Sequence, residues 1–107
     1  MVSSYDKGRR FEYRVRDELI KEGWIVERSM LSRGPWDLKA RKPGIVRLIQ
    51  CKKRRYASLS KEEKEGLAKA LEEIRASGLQ ARAEMAKIGS DQNDARRVPI
   101  IYKEVDL

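Results

Sequence analysis

Glu12, Asp37, Gln50 and Lys52 are polar residues set into apolar surroundings, and each breaks the pattern of the element that carries it. Asp37 stands in Gly34-Pro35-Trp36-Asp37-Leu38. Further on, the apolar run Ile45-Val46-Arg47-Leu48-Ile49 ends directly in Gln50-Cys51-Lys52. Carboxylates and a lysine on interior faces are costly unless something compensates for them, and a bound metal ion is the usual compensation. Carboxylate and amide oxygens suit a hard divalent cation, and a lysine beside them offers fixed positive charge to an anionic substrate. The matching chemistry is metal-assisted phosphodiester hydrolysis, in which a hard cation stabilises developing charge on oxygen and lowers the pKa of bound water. Gln50 is the gap in this pattern, because a second carboxylate is expected there.

Each residue also has a plainer explanation. Glu12 falls on the same helical face as Val15 and Leu19, where it could sit at the stripe's edge and pair with a neighbouring arginine. Aspartate after a Gly-Pro turn is a routine turn residue. Gln50 and Lys52 share a strand face with Val46 and Leu48, and a strand end emerging into solvent would account for Lys52 as the first of Lys52-Lys53-Arg54-Arg55. It accounts less well for Gln50, which still lies within the apolar run.

The elements that must position these groups can be read from periodicity and breakers. Ser3 or Ser4 can cap a first helix, with Asp6 at capping-box spacing from Ser3; Phe11, Val15 and Leu19 form its stripe and Gly23 stops it. A short strand follows from Trp24 to about Arg28, then a loop from Ser29 to Pro35. Trp36, Leu38 and Ala40 alternate with Asp37 and Lys39, the period of a half-buried strand that would contain Asp37. Lys42-Pro43-Gly44 is turn chemistry, so the strand from Ile45 to Lys52 is expected to pair antiparallel with it. Ser60 and Glu63 form a capping box for a second helix with Leu67, Leu71 and Ile74 buried and Gly78 at its end. Leu79 to Ile88 fits helix by its alanines and strand by its alternation. Val98 to Val105 reads as a final strand, at an edge because of Pro99.

Bulk composition narrows the chemistry. A chain of 107 residues is one domain with one modest core. Lys and Arg number 25 against 17 Asp and Glu, for a formal charge of +8, and the pI is about 9.8. Such a balance suits a polyanionic partner, nucleic acid above all, although a generic basic protein shares it. No histidine is present, which excludes histidine-metal nucleases, Ser/His/Asp hydrolases, Cys/His proteases and most zinc enzymes. Cys51 is the one cysteine, so no disulfide framework or zinc knuckle can form, as suits a reducing cytosol. No signal peptide or membrane span is evident, and an intracellular, cytoplasmic location is expected. Charged residues make up 39% of the chain, threonine is absent and Asn93 is the one asparagine, a composition that leans towards a thermophilic source.

Taken in order, Lys7-Gly8-Arg9-Arg10-Phe11-Glu12, Gly23-Trp24-Ile25-Val26-Glu27-Arg28-Ser29, Ser32-Arg33-Gly34-Pro35-Trp36-Asp37-Leu38 and Ile49-Gln50-Cys51-Lys52 resemble the archaeal Holliday-junction resolvases of the PD-(D/E)xK, restriction-endonuclease-like superfamily. The resemblance implies an α/β (α+β) fold in the order α-β-β-β-α-β-β, with a central mixed sheet of about four to five strands flanked by helices. It tips Leu79 to Ile88 towards strand. It also implies a magnesium site, with manganese able to substitute: Asp37 as central ligand, Gln50 through its side-chain carbonyl, the Cys51 backbone carbonyl, and Glu12 holding a second metal or its water shell. Lys52 would orient or activate the attacking water, and Ser32 would lie near the scissile phosphate.

The expected activity is a metal-dependent DNA endonuclease selective for Holliday junctions or other branched DNA, working as a symmetric homodimer in recombination or repair. Arg9, Arg10, Arg33, Lys53, Arg54 and Arg55 would rim the site and contact phosphates. Tyr56 and Trp36 could stack on bases, with core packing the stronger role for Trp36. Nothing resembles a base-reading helix, so recognition should follow nucleic-acid shape. Other readings remain open. One is a nuclease of the same superfamily acting on flaps, single strands or duplex. Another is a binding protein whose catalysis Gln50 has impaired. A generic basic RNA-binding domain leaves Glu12 and Asp37 unexplained.

Overall fold

The computed structural model describes residues 4–29 (side chains from residue 9 onward), 35–52, 58–88 and 99–107. Helix α1 (Ser4–Lys21) is followed by three strands, β1 (Ile25–Arg28), β2 (Leu38–Lys42) and β3 (Ile45–Cys51). Helix α2 (Lys61–Ala76) then leads to β4 (Gln80–Ile88) and β5 (Ile100–Glu104). This is the element order that the sequence implied, and the ambiguous stretch forms strand from Gln80 to Ile88.

One five-stranded mixed sheet carries the strands in sequence order, β1-β2-β3-β4-β5. Neighbours are antiparallel except β3 and β4, which run parallel across the α2 crossover. A parallel pair needs such a crossover, whereas β2 and β3 need only a tight turn. That turn is Pro43-Gly44 between the paired Lys42 and Ile45. Gly44 has φ +85°, which with proline before it meets the demand of a type II turn.

Alternation along β3 sends side chains to two separate cores. Ile49 joins Leu38, Ala40, Ala86 and Ile100 beneath the α1 stripe of Phe11, Val15 and Leu19. Val46 and Leu48 join Ala81, Ala83 and Met85 beneath Leu67 and Leu71 of α2, with Leu59 at the margin. Both faces of the central strands are therefore covered, which is why Arg47, Gln50 and Glu84 are buried although polar. The capping box of α2 forms as the sequence indicates. Glu63 N–H donates to Ser60 Oγ at 3.1 Å, and Ser60 N–H donates to Glu63 Oε1 at 3.0 Å.

Several boundaries differ from expectation. Trp24 precedes β1 rather than opening it, and β5 spans Ile100–Glu104 instead of Val98 to Val105. Pro99 lies just before that edge strand, where a missing N–H costs least. Trp36 does not share a face with Leu38 and Ala40: it packs against the α2 core while they lie in the α1 core. The period of two starts only at Leu38, and the chain bends before it. Ser3 lies outside the described residues.

Candidate active site

Asp37 sits one residue before β2, yet its backbone is bonded on both sides. Its N–H donates to Ile49 O at 2.9 Å, and its carbonyl accepts from Ser29 N–H at 3.0 Å. The ladder thus runs one residue past the strand and fixes the Asp37 backbone at the sheet's end. Its side chain is fixed as well, because Cys51 N–H donates to Asp37 Oδ2 at 2.8 Å. Asp37 and the end of β3 are therefore joined directly.

The electrostatics around Asp37 are unusual for a carboxylate. Burial raises its pKa above the ordinary aspartate value; the Cys51 N–H and the Lys52 charge oppose the rise, and Glu12 and Glu63 add to it. Negative charge at Asp37 is thus under-compensated by the protein itself. Glu12, from α1, and Glu63, from α2, both act on the same group, so the sheet's end gathers carboxylates from both helices.

Gln50 is buried, and its Nε2 donates to Pro35 O at 2.7 Å. A carboxylate could not make that bond at neutral pH, so the amide holds the chain just before Asp37. Gly66 in α2 contributes to the same clamp: a Cβ there would come within 3.0 Å of Pro35 Cβ. Orientation of the amide follows from this bond, and Oε1 is left as its oxygen donor.

Lys52 follows β3 directly and its N–H donates to Ala86 O at 2.9 Å. Its Nζ lies 3.1 Å from Glu63 Oε2 and 3.4 Å from Oε1. Burial works to raise the Glu63 pKa, but the Ser60 amide and the Lys52 ammonium more than offset it, leaving the pKa lowered. Glu12 is held too: Arg28 Nε donates to its Oε1 at 2.8 Å, and the guanidinium lies 4.6 Å from the Tyr13 ring. The plainer explanation of Glu12, pairing with an arginine, therefore describes this structure.

Asp37, Gln50, Cys51 and Lys52 are thus brought to one end of the sheet, with Glu12 close enough to act on Asp37. Arg9 and Arg10 are exposed on the helix that supplies Glu12. Ser32, Arg33, Lys53, Arg54, Arg55 and Tyr56 lie outside the described residues. Pro35, Gly66, Glu63 and Arg28 were not singled out from sequence for the parts they play here. Gly66 in a helix interior, where glycine is unfavourable, was the one available signal for close approach.

The donor set fits a hard cation. Among the described residues no three Asp, Glu or Cys side chains cluster so as to hold a metal. Magnesium, however, needs only one or two carboxylates, with water and substrate phosphate completing its shell. Asp37, the Cys51 carbonyl and Gln50 Oε1 are all oxygen donors, and Asp37 lacks a full counter-charge. Burial pushes the Cys51 thiol far up, so it is no thiolate ligand for a soft metal.

The fold matches the Holliday junction resolvase of the archaeal hyperthermophile Archaeoglobus fulgidus, with a TM-score of 0.64 and 26% identity. The match covers 89% of this chain and 73% of that one. This chain has a resolvase-like fold. The ordered motifs and the architecture therefore agree, and the two helices on opposite faces of a mixed five-stranded sheet are those of the restriction-endonuclease-like class. No protein-family model and no curated protein matches the sequence. Among the described residues no helix is long and apolar enough to cross a membrane.

Proposed function

We propose that the protein is a divalent-metal-dependent DNA endonuclease that hydrolyses phosphodiester bonds in branched DNA, Holliday junctions foremost. The observation that carries this reading is the Asp37 carboxylate, held by the Cys51 amide at the end of a resolvase-like sheet and raised in pKa by burial and by Glu12 and Glu63. A formal charge of +8 suits the polyanion.

In this mechanism Asp37, the Cys51 carbonyl and Gln50 Oε1 would hold magnesium, or manganese in its place. When bound, the metal supplies Lewis acidity and an acidified water. Lys52 would orient the attacking water, whose oxygen bonds to phosphorus as the P–O bond to the leaving oxygen breaks and the leaving oxygen takes up a proton, and would neutralise charge on the scissile phosphate. Glu12 orders the surrounding water, once released from or shared with Arg28. Arg9 and Arg10, exposed on α1, would contact flanking phosphates. Two copies related by a two-fold axis make paired cuts in a four-way junction.

The test is cleavage of a labelled four-way junction beside duplex, flap and single-stranded controls, with magnesium or manganese, using wild type and Asp37→Ala. Paired symmetric cuts in the junction alone, absent from the variant, are expected. Metal-dependent cutting of the other substrates would keep the nuclease and reject junction selectivity. Gln50, whose amide is committed to Pro35, favours one second reading, a junction binder without catalysis. Binding without any cut would establish it.

A further inference from the structure

Glu63 does two things with one carboxylate. Oε1 accepts from Ser60 N–H and closes the capping box, while Oε2 is the nearer oxygen to Lys52 Nζ, at 3.1 Å. The first contact needs only a hydrogen-bond acceptor, which glutamine also provides in a capping box. The second needs negative charge. Both side chains are about as exposed as each other, at 30% for Lys52 and 29% for Glu63. An ordinary exposed pair of that kind is loosely ordered, since a free lysine has many rotamers to lose. Here the carboxylate is anchored beforehand by the helix cap, and the Lys52 backbone is anchored by Ala86. Only the lysine stem between two fixed ends remains to be ordered.

We infer that Glu63 is a positioning residue, aiming the Lys52 ammonium at the sheet's end beside Asp37. This rests on the nuclease reading of the site and adds the start of α2 to it. Through the cap, the helix N-terminus and the reacting lysine are held in one geometry. Loss of the charge leaves the helix capped and the lysine free to swing into solvent.

The test separates charge from cap. Glu63→Gln keeps the capping acceptor and removes the charge; Ser60→Ala removes the Oγ half of the cap but keeps the charge and the Ser60 N–H bond that anchors Glu63 Oε1. With junction DNA and magnesium, Glu63→Gln should lower kcat by about ten- to a hundredfold, the scale of a misplaced catalytic group. Its KM should stay the same or fall, because a negative charge near the polyanion is gone. Ser60→Ala should lower Tm but leave kcat unchanged at temperatures where it is folded. Wild-type kcat in Glu63→Gln, or an equal loss in Ser60→Ala, would overturn the proposal.

A second readout needs no cleavage. The Lys52 ammonium, assigned by loss of its Nζ–Hζ NMR correlation in Lys52→Ala, should be visible and slowly exchanging in wild type and Ser60→Ala, and lost in Glu63→Gln. An unchanged signal in Glu63→Gln would sink the positioning role. A wild type that cuts no DNA would instead overturn the nuclease reading, and the Lys52 signal would still decide whether Glu63 holds the ammonium.

Discussion

Arg47 near the start of β3 and the Gln50-Cys51-Lys52 segment at its end both put polar groups into the interior, with opposite outcomes. Arg47 donates to both oxygens of Glu84 at 2.6 Å, and Arg82 Nε adds a third bond at 2.9 Å. The Arg47 guanidinium lies 4.8 Å from the Trp24 ring and 4.9 Å from the Tyr102 ring. Burial would raise the Glu84 pKa, but the bonds and charge of Arg47, then of Arg82, leave it lowered. At the other end Asp37 is left with a raised pKa. One carboxylate is matched by charge built into the fold, and the other is left with its charged form disfavoured. Among the described residues no buried side-chain polar atom lacks a hydrogen-bond partner, so the contrast lies in charge rather than in hydrogen bonding. A buried acid whose charge the fold leaves unmatched is a candidate functional group, whereas one fully paired, like Glu84, reads as structural.

Breaking that contrast should give its largest effect at Asp37. Asp37→Ala is expected to lose cleavage by about a thousandfold or more, as loss of a metal ligand implies, with little change in the urea midpoint. Glu84→Ala should do the reverse. Stranding Arg47 should destabilise the fold by about 3–5 kcal/mol in urea denaturation, while specific activity per folded molecule holds. Replacing the pair together, Arg47→Met with Glu84→Leu, should recover most of that stability, to within about 1 kcal/mol of wild type. A double variant as unstable as Glu84→Ala would show that the pair does more than satisfy itself.

Gln50→Glu tests the site end more finely. The added carboxylate should lower the magnesium needed for cleavage, while the bond to Pro35 is lost. Without metal the variant should be less stable by about 1–3 kcal/mol, the cost of an unpaired buried acceptor, and magnesium should restore part of its Tm. Unchanged magnesium dependence would sink this account of Gln50. The smallest effect concerns acid. Because the Glu84 pKa is lowered on folding, its stabilisation is present above the unfolded value near about 4.3 and is lost as pH falls through the lower folded value. Acid titration of stability should therefore be shallower for the Arg47→Met, Glu84→Leu protein than for wild type below that pH.

Much of the architecture was legible because local signals agreed with it. The Ser60-Glu63 box, the Pro43-Gly44 turn and the Phe11-Val15-Leu19 stripe each act within a few residues. Glu84 shows where this stops. In the alternation of Leu79 to Ile88 it falls among the polar positions and would read as solvent-facing, but helices cover both faces of the central strands. Alternation reports one wet face, and a strand covered on both sides gives no such report. For the site, the anomalous residues Glu12, Asp37, Gln50 and Lys52 were visible as breaks in pattern. Their partners were not: Arg28, Pro35 and Glu63 come from other elements, and spacing carries no trace of a contact made across the fold.

The order of strands also bears on how the chain assembles. Asp37 and the Cys51 amide are separated by 14 residues, within one hairpin, whereas Arg47 and Glu84 are separated by 37, across the parallel joint. Closing the longer loop costs about 0.9 kcal/mol more in chain entropy by the logarithmic law. The hairpin should therefore form early and the β3–β4 joint late. Changes at the Pro43-Gly44 turn should slow folding, and changes at Arg47 or Glu84 should chiefly speed unfolding, as the two arms of a denaturant chevron would report. The end that carries Asp37 would then take shape on a half-built sheet, before the charge pair that locks the two halves together.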